Sequence, residues 1–357
     1  MLFNLLKDNN STRLGINFKC NTFIKNFLMS KKVVGIAMGG YSSEREISFE
    51  SGDTVFKNLL KSSWSCFKII VDKNHWIVVD PQENIYALNL DNFTFERDQK
   101  NIKFDVVFNA IHGTPGEDGE LAELLERLKI PHTSCDKTIA ALTFNKRDCL
   151  EKVKEWGIPV AKSFTYDAGN LIDIDAIENK VGLPCFVKPN RSGSSYGIVK
   201  VYQKDSLKNA LETALKEDDQ LIIESELVGM EISVGAYLLK GVVKVLPITE
   251  IISENDFFDY DAKYNGKSEE ITPARVDEST LKKVNTLVKK IYIKLNLKGI
   301  CRSEFIIING TPHLLEINTI PGMTSASLIP QQVKAAGVDL GDFFESLLLE
   351  AIKKPLI

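Results

Sequence analysis

Two acids and an amide stand close together toward the end of this chain: Glu304 in "SEFIIIN", and Glu316 and Asn318 in "PHLLEIN". Each stretch is apolar enough for a buried strand, in which side chains two apart point the same way. An ionised carboxylate there is costly unless a cation or hydrogen-bond donor meets it. Between the stretches lie Asn309, Gly310 and Thr311, and Asn-Gly marks a hairpin. A three-residue loop pairs Ile308 with Pro312 and sets Glu304 opposite Glu316, with Asn318 two residues further along the same face. Like charges directly opposed destabilise a sheet, so a cation is the natural remedy. Three oxygen ligands without Cys or His suit a hard ion, and incomplete protein coordination is typical of Mg²⁺ shared with substrate phosphates. The plainer alternative is a surface hairpin with solvated acids.

A second candidate is "FVKPNRSGSSYGIVKV". Its Gly- and Ser-rich loop joins two strands, so it is no P-loop of the strand-to-helix kind. It can still lay backbone N–H groups over phosphates, with Lys188 supplying charge. By itself it more often describes an ordinary flexible hairpin. A third is "IIESELVGMEISV", where Glu224 and Glu231 bracket a short connection leaving a strand. Such a segment can offer backbone groups to a base and a carboxylate to ribose hydroxyls, or be an exposed acidic loop.

These residues need a scaffold. A chain of 357 residues exceeds what one core supports, which predicts two or three domains sharing a cleft. The composition, 44% apolar and 26% charged, is that of a globular chain, and a net charge of -4 without a basic run argues against nucleic acid and membrane surfaces as partners. Nothing approaches the ~20 apolar residues of a membrane span. Six scattered cysteines, without a C-x-x-C pair or zinc-like spacing to His, read as small buried hydrophobes in a reducing cytosol. Residues 1–29 hold no long apolar run and precede the first clear strand; they are expected to be a disordered extension or a misplaced start.

From about residue 30 to 134, "KKVVGIAMGGY" with the helical "SSEREISFESGDTVFKNLLK", then "FDVVFNAIHG" with "ELAELLERLKI", predict an alternating α/β domain on a parallel sheet. Over 135–224 the elements cease to alternate one for one, which predicts an α+β unit; the third, 225–357, carries the acidic hairpin and a closing helix. The paired glycines lack the rest of a G-x-G-x-x-G fingerprint, which removes the dehydrogenase reading.

Taken together and in order, Lys146, "VKPNRSGSSYG", "ESELVGMEIS", "CRSEF" and "LLEINTIPGMTSASL" resemble the ATP-grasp fold. "GGYSSEREIS", "HGTPGEDG" and "FFDYDAKY" narrow the resemblance to D-alanine-D-alanine ligases, over residues 31 to 353 or so. The expected fold class is accordingly mixed α/β and α+β: an ATP-grasp fold behind an N-terminal parallel α/β domain.

The resemblance implies ATP as co-substrate and two Mg²⁺ ions per site, with Mn²⁺ as a substitute. Lys146, Lys188 and Lys263 would bind the nucleotide, the first two through its phosphates. Glu224 and the backbone at Leu227 would meet adenine, Glu231 ribose, and Phe257, Ile306 and Leu315 would sandwich the base. Glu304, Glu316 and Asn318 would hold the metals, Glu316 bridging both. Glu44 would meet the ammonium of a first D-alanine, and His112 would lie near its carboxylate. Ser327 and Leu328 would contact a second D-alanine. Arg302 and the Gly322 N–H would stabilise the tetrahedral oxyanion, and Tyr264, linked to Ser194 and Glu44, would shield the site from water. The resemblance also implies a cytoplasmic homodimer that serves peptidoglycan precursor synthesis. Three departures bear on fine geometry: Glu304 where the family commonly has Asp, Asn145 where Asp is usual, and Tyr41 where a smaller residue is common. Rival readings are a D-alanine-D-serine ligase and a non-catalytic ATP-binding regulator; the latter is disfavoured by intact metal carboxylates and Arg302.

Overall fold

The computed structural model describes residues 31–253 and 268–353. The expected opening strand and helix form as β1 (Val33–Gly39) and α1 (Arg45–Leu59). Parallel to β1, on either side, run β2 (Ser65–Val71) and β7 (Val106–Asn109), followed by α2 (Glu120–Arg127). The parallel expectation holds for these three strands. Beyond the β2 edge, β3 (Ile77–Val79) and β4 (Ile85–Ala87) pair antiparallel, because the connections are too short for the dozen-residue crossover a parallel neighbour needs. A separate hairpin, β5 (Thr94–Arg97) and β6 (Lys100–Lys103), sets Phe95 against Phe67 with ring centroids 4.9 Å apart.

After α3 (Lys137–Phe144) and α4 (Lys146–Lys154) comes an antiparallel sheet of order β10-β9-β11-β8. It consists of β8 (Ser163–Asp167), β9 (Cys185–Pro189), β10 (Val199–Val201) and β11 (Gln220–Ser225). Helices α5 (Ile174–Val181) and α6 (Leu207–Ala214) bury Ile177, Leu207 and Leu211 in one cluster with Val187, Leu221 and Ile223. This is the α+β arrangement expected of the middle of the chain.

The third sheet has the order β15-β14-β12-β16-β17, with β13 also paired to β12. Its strands are β12 (Met230–Leu239), β13 (Val242–Val245), β14 (Thr249–Ser253), β15 (Ser268–Ile271), β16 (Ile300–Ile308) and β17 (Thr311–Asn318). Helix α7 (Glu278–Lys294) packs Val284, Val288 and Ile291 beneath it. Where one closing helix is expected there are two, α8 (Leu328–Ala335) and α9 (Leu340–Ile352).

The β16–β17 hairpin corrects one detail of the sequence reading. Its loop is two residues, not three: Ile308 pairs with Thr311, and Asn309 (φ 49°) and Gly310 (φ 69°) both take the left-handed conformation that a tight hairpin turn requires. That register alone would leave Glu304 out of step with Glu316. A β-bulge between the Phe305–Leu314 and Glu304–Glu316 pairs inserts Leu315 as an extra residue and restores the opposition.

One helix fixes the first sheet against the third. Phe343 on α9 meets Tyr237 of β12 edge-on at 5.0 Å, and Phe344 meets Phe108 of β7 at 5.6 Å. Both phenylalanines are almost wholly buried in a core that includes Val55, Phe56 and Ile329. The five described cysteines are buried and unbridged, and burial pushes the thiols of Cys66 and Cys149 up to about 12; Cys20 lies outside the described residues. Truncation of this wedge, Phe344→Ala, is expected to cost about 3–5 kcal/mol. A fall in the urea midpoint of that size checks it; an unchanged midpoint would show that the contact carries no stability.

Candidate functional site

A cleft of about 480 Å³ runs between the second and third sheets, in the size range of small-molecule sites. One wall is β9 and the Gly/Ser loop, the other β16 and β17, and the β11–β12 connection closes the end. Of the residues singled out from the sequence, Lys146, Lys188, Ser194, Glu224, Leu227, Glu231, Glu304, Ile306, Leu315 and Glu316 all line it. Phe257, Lys263 and Tyr264 lie outside the described residues.

The bulge explains how consecutive residues serve this wall. In a regular strand Leu315 and Glu316 would point to opposite faces. With Leu315 as the extra residue, both line the cleft, while Leu314 and Ile317 turn into the core. Glu304 and Glu316 therefore face each other across the pair, as expected. Each also meets a protein cation: Arg302 Nη1 ion-pairs with Glu304, and Lys146 Nζ lies 3.5 Å from Glu316. Arg302 Nη1 also donates to Ser233 Oγ at 3.2 Å, and Asn318 Nδ2 to Glu316 Oε1 at 3.2 Å.

Two carboxylates and an amide, without sulfur or imidazole, fit a hard divalent cation. Among the described residues no group of three or more His, Cys, Asp or Glu side chains gathers into a metal cage. An incomplete donor set leaves coordination positions for phosphate oxygens.

The two lysines are placed by one buried amide. Asn190, just past β9, accepts from Arg147 N at 2.9 Å through its side chain and from Lys146 N at 3.2 Å through its carbonyl. Its Nδ2 donates to Asn145 Oδ1, and Asn145 caps α4 by accepting from Asp148 N at 3.1 Å. The departure at 145 thus keeps a capping side chain. Lys146 Nζ then reaches Ser192 O at 2.6 Å. Lys188 bonds Glu224 Oε2 at 2.7 Å. Burial alone would lower the Lys188 pKa, but Glu224, with Glu316 and Glu231 beyond it, holds it above the usual lysine value.

Glu224 has one carboxylate oxygen unmet by the protein groups described. Its side chain is buried, and Oε1 has no hydrogen-bond partner among the described residues. A buried acceptor left unsatisfied is costly, so the site fits a ligand with a donor such as a ring amine.

In the Gly/Ser loop, Ser194 (φ 48°) and Ser195 (φ 60°) are consecutive left-handed residues, a conformation that non-glycine residues hold only under constraint. The constraint is Glu44, whose Oε1 accepts from Ser194 Oγ at 2.5 Å. Gly193 lies so close that a Cβ there would meet both Glu44 oxygens at 2.6 Å. The loop is thereby docked onto the first turn of α1.

His112, also buried, contacts Ser51 Oγ through Nε2 at 3.0 Å, and Ser51 Oγ accepts from Met323 N at 3.1 Å. Burial, the largest influence, lowers its pKa despite Glu44 and a hydrogen bond to the Ile320 backbone, which leaves a neutral ring able to donate at one nitrogen and accept at the other. Ser327 Oγ accepts from Thr324 N at 3.1 Å, and Gly322 packs against that hydroxyl. The charges of Glu44 and Arg302 reach His112, and the Ser51–Met323 bond sets the Gly322–Ser327 turn beside it, while Leu328 packs on Ile251. None of Glu44, His112, Arg302, Gly322, Ser327 and Leu328 lines the cleft itself, although Ile251 does.

Sequence reasoning passed over Ser51, Ser233 and Glu117. The last sits in "HGTPGEDG", where a pair of acids, Glu117 and Asp118, among small residues was the available signal. Glu117 is buried and its Oε2 accepts from Gly113 N at 2.9 Å. Burial first, and then the Glu44 charge, raise its pKa from 4.5 to about 8.

The chain is similar to known proteins over most of its length. Residues 33–135 match a family model described as "D-ala D-ala ligase N-terminus", and 153–349 one described as "D-ala D-ala ligase C-terminus". A D-alanine–D-alanine ligase of Flavobacterium johnsoniae is 50% identical over 317 residues, 89% of this chain and 98% of that protein. The solved D-alanyl-alanine synthetase A of Vibrio cholerae superposes with a TM-score of 0.80 at 26% identity, covering 91% of this chain and 99% of its own. A D-Ala:D-Ser ligase of Enterococcus faecalis gives 0.78 at 29% identity, covering 90% and 100%.

Since the folded state binds the Glu117 proton more tightly than the unfolded chain, the associated stability is complete below about pH 4.5 and is lost as pH rises through about 8. The neutral isostere Glu117→Gln is expected to flatten that decline. Melting temperatures of both proteins across the window check it; parallel curves would mean that Glu117 ionises as freely as in solvent.

Proposed function

This chain belongs to the D-alanine–D-alanine ligase family, and on that premise we propose that it joins two D-alanine molecules at the expense of ATP, through an acyl phosphate. The observation that carries the reading is the convergence of Lys146, Lys188 and the opposed Glu304–Glu316 pair in one cleft.

Adenine enters at the β11–β12 connection, where its amine supplies the donor that Glu224 Oε1 lacks, and the Leu227 backbone contacts its edge. Glu231 takes the ribose; Ile306 and Leu315, with Phe257, enclose the base. Lys146 and Lys188, with Lys263, receive the phosphates. Glu304, Glu316 and Asn318 would hold two Mg²⁺ ions. When bound, Mg²⁺ supplies charge neutralisation on the transferring phosphoryl group.

A carboxylate is a poor electrophile, so the first D-alanine must be activated. Its ammonium lies at Glu44, held by Ser194, and neutral His112 faces its carboxylate, which takes the γ-phosphoryl group. The amine of a second D-alanine, seated by Ser327 and Leu328, then attacks the carbonyl carbon. Arg302 and the Gly322 N–H stabilise the oxyanion, and phosphate departs as the peptide bond forms. Tyr264 shields the intermediate from water.

The same family premise supports a cytoplasmic homodimer in peptidoglycan precursor synthesis, and the division of the chain near residues 134 and 224. Among the described residues no helix is long and apolar enough to cross a membrane.

Incubation of the protein with ATP, Mg²⁺ and D-alanine, D-serine or D-lactate in turn, with products weighed by mass spectrometry, is expected to give D-alanyl-D-alanine with D-alanine alone. Phosphate release independent of D-alanine, or no dipeptide, would overturn the reading. Glu316→Gln is expected to fold as wild type yet lose several kcal/mol of transition-state stabilisation, more than ~100-fold in turnover; full activity in that variant would refute the metal assignment.

A further inference from the structure

Helix α8 is held by two adjacent glutamines that do different work. Gln332 is wholly buried: Gly235 N donates to its Oε1 at 2.9 Å, and its Nε2 donates to Ser233 O and Thr249 Oγ1, both at 3.0 Å. That network fastens the helix to β12 and β14. Gln331 is half-buried and adds nothing to this anchorage. Its Nε2 instead donates to Glu270 Oε2 on β15 at 2.6 Å and to Ala326 O at 3.0 Å. One amide thus joins the segment leading into α8 to the edge strand of the third sheet.

The position of that edge gives the contact its significance. Glu270 pairs with Ile251, Ile251 with Glu231, and Glu231 with Ile306, so the four occupy one row on the cleft face of the sheet. Leu328 packs on Ile251 in this row, and the Arg302 charge reaches Glu270. The Gln331–Glu270 bond therefore closes over the apolar contact that places Leu328, one residue from Ser327. Resting on the proposed reading, in which Ser327 and Leu328 seat the accepting amino acid, we infer that Gln331 and Glu270 are positioning residues: they strap the acceptor seat to the sheet and set the affinity for the second D-alanine.

The test uses the full chain, with phosphate release and dipeptide measured against D-alanine and against ATP. Gln331→Ala and Gln331→Glu, the latter setting two carboxylates against each other, are expected to raise the half-saturating concentration for the second D-alanine on the order of tenfold, the effect of losing a hydrogen bond to a charged group. The constants for ATP and the first D-alanine should stay put. The swapped pair Glu270→Gln with Gln331→Glu restores a donor facing a carboxylate and is expected to recover most of the loss. A role in folding alone would lower the melting temperature and all constants together, with no rescue by the swap. An unchanged second constant in both single variants, or no recovery in the swap, overturns the strap while dipeptide synthesis by the wild type leaves the ligase reading intact. A wild type that forms no dipeptide overturns both.

Discussion

The site depends on one extra residue in one strand. Regular alternation would give β17 either Leu315 or Glu316 on the cleft, never both. The bulge at Leu315 places an apolar wall and a carboxylate side by side on the cleft; in the proposed reading, base and phosphate-bound metal are then met by consecutive residues. Bulges re-aim side chains in this way at the cost of a local break in the ladder. Here the break falls between the Phe305–Leu314 and Glu304–Glu316 pairs, with fully buried Phe305 and Leu314 packed on the far side.

Around that point the structure manages an excess of negative charge. Glu44, Glu117, Glu224 and Glu304 are all buried. Each has a distinct compensation: Ser194 for Glu44, a backbone N–H and a raised pKa for Glu117, Lys188 for Glu224, and Arg302 for Glu304. Buried acids of this kind are tolerated only when paired, hydrogen-bonded or protonated. Apart from Glu117, these groups are also the ones the proposed chemistry recruits, so in that reading charge compensation and substrate recognition share one set of atoms.

Much of this was legible in the residues. Asn309-Gly310 announced the hairpin, the apolar runs announced β1 and β9, and the Glu304–Glu316 opposition was foreseen. It was foreseen for an incomplete reason, since loop length and bulge each shift the register by one and their effects combine. A bulge leaves little trace in the spacing of apolar residues, because Leu315 would look equally at home in a core. Glu117 was overlooked because its significance comes from burial and from Glu44, which is remote in sequence. The antiparallel edge of the first sheet escaped notice because strands as short as β3 and β4 carry too few residues to show a period.

Asn190 carries one more implication. It ties the start of α4, and with it Lys146, to the end of the strand that bears Lys188, so the two ammonium groups hang from a common peg. A displacement of Asn190 would therefore disturb two backbone anchors at once, the start of α4 and the end of β9, and with them the placement of both lysines along one wall of the cleft.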